Sequence, residues 1–402
     1  MNLMDLRRAS LLLLMHIFAI GIIPAQSNLA DSTAVKDTIL YFAGGISYHP
    51  PEFKPIKQAK NPKNIIFLIG DGMGLSHITA ARVANGGKLY LDQFPVTGLN
   101  TTFSASDFVT DSGAGGTALA TGEKTLNGAI GVDRDSVIIP NIREVLSGSG
   151  KSTGVVVTCA VTHATPAAFV AHQPSREMKD EIAMDFMRSG IDLFMGGGLE
   201  NFIVRGDSAN LLEPLVKLGY FIDTQTVAPQ PSIRISRLAQ QQKVAGLYAA
   251  GHMETFTGGR GNYLPEATQA AIEVLKKNPY GFFLMVEGSQ IDWGGHANHT
   301  GYIITETMDF DRAVGEALRF AAADGQTLVV VTADHETGGM ALMNGNYQTG
   351  MVRAAYTTGD HSGTMVPVFA FGPGSELFRG IYDNTDVPRK ILEAMKLSFP
   401  KP

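Results

Sequence analysis

The sequence predicts an α/β fold: a three-layer sandwich around a central, mostly parallel sheet. Three observations predict it. First, short apolar runs recur along the chain, at "NIIFLIG" (64–70), "GVVVTCA" (154–160), "DLFMG" (192–196), "GFFLMVEG" (281–288), "TLVVVTAD" (327–334) and "VPVFAFG" (366–372). They are continuous rather than alternating, as in strands buried on both faces. Second, helical patterns separate them, such as "LPEATQAAIEVLKKN" (264–278) and "TETMDFDRAVGEALRFAAADG" (305–325). Strand–helix alternation builds a sheet covered by helices on both sides. Third, glycine is abundant, at 45 of 402 residues, and many glycines follow apolar runs, as in "IIFLIGDGMG" and "LFMGGG". That placement suits tight exits from strands.

Taken in order, the chain opens with Arg7 and Arg8, an apolar run from Ala9 to Ile23, and Pro24-Ala25-Gln26. This predicts a signal peptide over 1–25 and export to the periplasm or beyond. The run is short for a spanning helix, and no later segment is long and apolar enough to be one. The expectation is therefore no membrane anchor after cleavage. Residues 26–61 are rich in Pro and Lys and read as an irregular lead-in. From 62 to 402 the alternation is that of a single catalytic domain. A polar, Gln-rich stretch at about 223–263 interrupts it and reads as an excursion on the sheet rim. With 44% apolar and 17% charged residues, the chain has material for a large core. A net charge of −6 and the absence of a basic run argue against a nucleic-acid partner. The only cysteine, Cys159, sits in an apolar run and cannot form an internal disulfide. It reads as a buried structural thiol.

Chemistry-bearing residues gather where the strands end. Asp71 follows the first run, and His163 and Thr165 follow "VVVTCA". Glu287 closes "FFLMV" and precedes Asp292 and His296. Asp334 and His335 close "LVVVTA", and His361 lies in "GDHSG". Each has an ordinary reading alone: a turn acid, a strand-closing acid, a loop pair. Asp292 and His296, four apart, share a face if helical. Together they imply compensating cations, because desolvating so many carboxylates and imidazoles at one sheet edge is costly. Mixed His and Asp ligands suit zinc, and oxygen ligands suit magnesium. The remaining histidines, among them His77, His172, His252 and His299, read as structural or solvated. The segment "DFVTDSGAGGTALATGEK" (107–124) places Asp111-Ser112 before a run of small residues entering a helix. This pair reads as a helix cap or as a nucleophile at a helix N-terminus, where an anion is welcome.

These blocks resemble the alkaline phosphatases over roughly residues 62–395. The matching segments are "NIIFLIGDGMG", "VTDSGAGGTALATGEKT", "THATPAAFVAHQPSR", "FFLMVEGSQIDWGGHANH", "VVVTADHETGG" and "GDHSGTMVPVFAFGP". The resemblance implies hydrolysis of small-molecule phosphate monoesters through a phosphoserine on Ser112. It implies two Zn and one Mg. The first zinc would take Asp292, His296 and His361. The second would take Asp71, Asp334 and His335, with Ser112 joining. Magnesium would take Asp71, Thr165 and Glu287. Arg176 would hold two phosphoryl oxygens, and Asp111 would orient Arg176 or simply cap the helix. His163 and Trp293 stand where some bacterial members carry Asp and Lys, so they resemble another bacterial subset. This pair removes a cation from the substrate's outer shell and leaves the third metal's identity open. Family members are commonly homodimers, and the sequence itself leaves oligomeric state open.

Competing readings remain a phosphodiesterase or related hydrolase, and a catalytically silent metal-binding envelope protein. A sulfatase is disfavoured because Ser112 is followed by Gly113-Ala114 rather than the modified Cys/Ser motif. A P-loop fails because Glu123 separates Gly122 from Lys124.

Overall fold

All six apolar runs form strands of one ten-stranded sheet. The computed structural model describes residues 38–41, 46–224 and 233–400, so the signal segment expected over 1–25 lies outside the described residues. In chain order the strands are β1 Thr38–Tyr41, β2 Asn64–Gly70, β3 Val96–Thr101, β4 Ser152–Ala160 and β5 Leu193–Gly197. There follow β6 Tyr220–Asp223, β7 Lys243–Leu247, β8 Phe282–Gly288, β9 Thr327–Thr332 and β10 Glu336–Thr337. The last are β11 Met340–Asn346, β12 Met351–Tyr356, β13 His361–Ser362, β14 Val366–Phe371 and β15 Gly380–Asp383.

The large sheet runs β15-β3-β14-β9-β2-β8-β4-β5-β7-β6. Its pairings are parallel except where β14 meets β3 and β9. The pleat sends successive side chains to opposite faces. Ile66 and Leu68 of β2 therefore join one core, and Ile65, Phe67 and Ile69 the other. Helices Leu75–Ala84, Tyr263–Leu275 and Thr300–Asp324 cover the first face. Helices Ser112–Thr121, Lys179–Arg188 and Asp386–Ala394 cover the second. Both faces are dry, so the central strands read as unbroken apolar runs.

The stretch at 223–263 is more than an excursion. Lys243–Leu247 is a strand of the large sheet, lodged between β5 and β6. Its run "KVAGL" is short and broken by Gly246, so its apolar signal is weak. Strand β3 was also hidden, because "VTGLNT" alternates between buried and more exposed residues. Within the expected lead-in, β1 pairs with β12 in a three-stranded ladder, and residues 46–61 form no helix or strand.

Parallel order puts the carboxyl ends of β2, β4, β8 and β9 side by side. The small β10–β13 ladder then pairs Thr337 with His361, carrying that histidine to the same edge.

Candidate functional site

Most of the expected site residues meet at this edge. Asp71 leaves β2, Glu287 lies within β8, and Asp334 and His335 follow β9. All four are fully buried. Thr165 sits on the short helix Ala164–Ala168 after β4, and Asp292, Trp293 and His296 on the helix Ile291–His296. As the spacing predicts, Asp292 and His296 share a face, with His296 Nε2 3.4 Å from Asp292 Oδ2.

Two clusters result, Asp292/His296/His361 and Asp71/Asp334/His335. In the first, His361 Nε2 lies 3.4 Å from Asp292 Oδ1 and 3.1 Å from His296 Nε2. Backbone carbonyls hold the opposite nitrogens: His296 Nδ1 is 2.9 Å from Gly359 O, and His361 Nδ1 is 2.8 Å from Thr110 O. A carbonyl only accepts, so both Nδ1 atoms carry protons and both Nε2 atoms face inward. In the second cluster His335 Nε2 lies 3.4 Å from Asp71 Oδ1 and 3.3 Å from Asp334 Oδ2.

The charges in this site require compensation. Burial, with Asp334 next, pushes the Asp71 carboxyl well above its usual value. Burial, then Asp292, raises Asp334 to about 6. Burial lifts Glu287 to about 8, although Ser289 opposes this by donating to Oε2 at 2.7 Å. Burial and then His361 press His335 down to about 3. Asp292 differs: burial pushes it up, but hydrogen bonds from His296 and His361 outweigh that and hold it well below the carboxylate range. Its partner His296 is raised to about 9, chiefly by that bond.

The donor set fits divalent cations. Both Asp71 oxygens, Asp334 Oδ2, Glu287 Oε1 and Thr165 Oγ1 are buried without a hydrogen bond of ordinary geometry. Buried polar atoms are almost always paired, so this concentration of orphans marks oxygens arranged for ions. The two His/Asp clusters suit zinc, and the oxygens of Asp71, Thr165 and Glu287 suit magnesium.

Ser112 is the first residue of the helix Ser112–Thr121 and is buried, with Oγ 3.3 Å from His335 Nε2. Asp111 serves two partners. Its Oδ1 caps the helix by accepting from Ala114 N at 2.9 Å, and also accepts from Gly128 N, beyond the helix, at 3.0 Å. Its Oδ2 accepts from Arg176 Nη1 at 2.8 Å. The two readings of Asp111 are therefore compatible. Small residues are required behind Ser112: a Cβ on Gly115 would lie 3.0 Å from Asp334 O, and one on Gly116 3.2 Å from Thr165 Cα.

His163 Nε2 lies 3.2 Å from Arg176 Nη2, so the guanidinium is gripped from two sides. Burial and then Arg176 depress His163 to about 3. It also groups with Cys159 and Glu287. Cys159 Sγ, 3.4 Å from Glu287 Oε2, is a fully buried thiol raised well above its usual pKa by burial.

His252 packs beside the expected outer-shell residues, which its sequence position does not show. Its ring stands edge-to-face against Trp293 at 4.8 Å and His163 at 5.5 Å, and its Nδ1 accepts from Ala160 N at 3.1 Å. No local pattern announces this, because His252 follows β7, a strand the sequence reading did not see. His299 and His172 are structural. His299 caps Thr300–Asp324 by accepting from Tyr302 N, and His172 pairs with Glu144.

Comparisons with known proteins show which family the chain is similar to. The sequence model of the family described as alkaline phosphatase matches residues 62–356. Alkaline phosphatase 4 of Bacillus subtilis is 34% identical, covering 92% of this chain and 97% of its own. Alkaline phosphatase of Escherichia coli is 34% identical, covering 82% and 85%. The solved alkaline phosphatase from the Antarctic bacterium TAB5 superposes with a TM-score of 0.79 at 45% identity, covering 84% of this chain and 99% of that one. A mutant of that enzyme, solved with Mg bound in its M3 site, gives a TM-score of 0.80 at 44% identity, covering 86% and 100%.

Proposed function

Since the chain belongs to the alkaline phosphatase family and its activity is therefore phosphate monoester hydrolysis, we propose that it works through a phosphoserine on Ser112 with two Zn and one Mg. The observation that carries this reading is Ser112 Oγ, buried at a helix N-terminus 3.3 Å from His335 Nε2, beside buried carboxylate oxygens of Asp71 and Asp334 that no hydrogen bond satisfies. Asp292, His296 and His361 would hold one zinc, and Asp71, Asp334 and His335 the other. Asp71, Thr165 and Glu287 would hold magnesium. When bound, these cations lower the pKa of the serine hydroxyl and of water and offset charge on the phosphoryl oxygens.

The chain's own residues then have defined tasks. Ser112 Oγ attacks phosphorus in line with the departing alcohol, and a water later cleaves the phosphoserine to release inorganic phosphate. Arg176 binds phosphoryl oxygens through its planar fork, with Asp111 and His163 fixing its plane. The N-terminus of Ser112–Thr121 adds partial positive charge under the phosphoryl group. Glycines 113, 115 and 116 let this helix pack closely against Ala129, Asp334 and Thr165, which sets Ser112 beside those segments. Trp293 and His252 line the outer shell and put no cation there. We also read residues 1–25 as an export signal, with the reaction in the periplasm or outside the cell.

The test compares hydrolysis of a nitrophenyl phosphate monoester, its diester and its sulfate by the chain reconstituted with Zn and Mg. The monoester is expected to dominate, and acid quenching is expected to trap phosphate on Ser112. A preferred diester, or full monoester activity in Ser112→Ala, would overturn the proposal.

A further inference from the structure

One hydroxyl touches both His/Asp clusters. Thr337 Oγ1 lies 2.5 Å from Asp292 Oδ1 and 3.2 Å from His335 Nδ1. Asp292 belongs to the cluster with His296 and His361, and His335 to the cluster with Asp71 and Asp334. Thr337 is fully buried.

The proton inventory fixes the direction of both bonds. A threonine hydroxyl has one proton to donate and lone pairs to accept with. A carboxylate oxygen only accepts, so the Thr337 proton goes to Asp292. Thr337 Oγ1 must then accept from His335, which places that proton on Nδ1. The bare nitrogen of His335 is consequently Nε2. This is the atom 3.3 Å from Ser112 Oγ, 3.4 Å from Asp71 Oδ1 and 3.3 Å from Asp334 Oδ2.

The hydroxyl is held tightly in place. Thr337 N donates to Gly72 O at 3.1 Å, and Gly72 N donates to Asp334 Oδ1 at 3.2 Å. Gly72 has φ +71°, and a Cβ there would fall 2.6 Å from Thr337 Oγ1 and 2.7 Å from Asp292 Cα. A Cβ on Gly295 would fall 2.8 Å from Thr337 Cβ. Two glycines thus open the slot that Thr337 fills.

We propose that Thr337 is a positioning residue that couples the two clusters, orienting Asp292 and selecting the His335 tautomer through one hydroxyl, so that a divalent cation in either cluster preorganises the other. The proposal rests on the reading of these clusters as metal sites. A hydroxyl that merely satisfied a buried carboxylate would leave the His335 cluster indifferent to its loss.

Zinc titration of the metal-stripped full chain against a chromophoric chelator tests it, with Thr337→Val as a near-isosteric deletion and Thr337→Ser as the rescue. Wild type and Thr337→Ser are expected to bind two zinc ions with closely similar affinities. Thr337→Val is expected to weaken both ions by about 10–100-fold. Weakening of one ion or of neither, with the wild type binding two, overturns this proposal alone. A wild type that binds no zinc overturns the metal reading as well. Nitrogen NMR of histidine-labelled wild type gives a check that needs no variant: His335 should carry its proton on Nδ1, and finding it on Nε2 in the metal-free chain overturns the proposal.

Discussion

Replacing Asp111 by Asn should separate its two duties, because the structure divides them between two oxygens. Oδ1 caps the helix through Ala114 N and ties in Gly128 N, and Oδ2 holds Arg176. Asn keeps an oxygen for the cap and turns an NH2 group toward a guanidinium that can only donate. The lost contact is charge-assisted, a class worth about 1.5–3 kcal/mol. The two side chains are 21% and 24% exposed, so solvent screening lowers this to about 1–2 kcal/mol. That corresponds to roughly a five- to thirty-fold loss in inorganic phosphate affinity. Asp111→Ala should show the same loss and also about 1 kcal/mol of instability from the missing cap. The assay is competitive inhibition of nitrophenyl phosphate hydrolysis by phosphate, paired with denaturant unfolding. If Asp111→Asn keeps full phosphate affinity, Asp111 is a cap only and the account of Arg176 is wrong.

Further outcomes follow from the same geometry. Arg176→Ala should weaken kcat/KM by about 1.5–3 kcal/mol without abolishing it, and unchanged kinetics would exclude it as the phosphate clamp. Chelation of the metals should lower the unfolding midpoint as well as activity, since it leaves buried carboxylates uncompensated, and added Zn and Mg should restore both. The His172–Glu144 contact at 3.0 Å should give a pH-dependent term. Burial is the largest single influence and opposes both charges, but their mutual bond together with Gly131 O on His172 and Asn141 N on Glu144 outweighs it, raising His172 above 6.5 and lowering Glu144 below 4.5. The Glu144 share is present above about pH 4.5 and is lost as pH falls through its lower native value. The His172 share is present below about pH 6.5 and is lost as pH rises through its higher native value. The stability gap between wild type and Glu144→Gln should therefore peak between about pH 4.5 and 6.5, and a gap that grows above pH 8 would contradict this assignment.

The sequence by itself determined the strand-and-helix alternation, because a strand buried on both faces needs an unbroken apolar run and each run is local. It also determined which residue types stand at the strand ends. The metal-ligand expectation needed only Asp71, Glu287, Asp334 and His335 each to follow or close such a run. Tertiary structure decided what spacing cannot carry. Strand β7 entered the sheet through pairing with β5 and β6, since three apolar residues interrupted by Gly246 announce little alone. Folding set the inward nitrogen of each histidine through groups distant in sequence, Gly359 O for His296 and Thr110 O for His361. Thr337 carries no signal in the sequence, and its role exists only where Gly72 and Gly295 close around it. Such roles depend on one proton and one close approach, and both exist only once segments far apart in the chain have met.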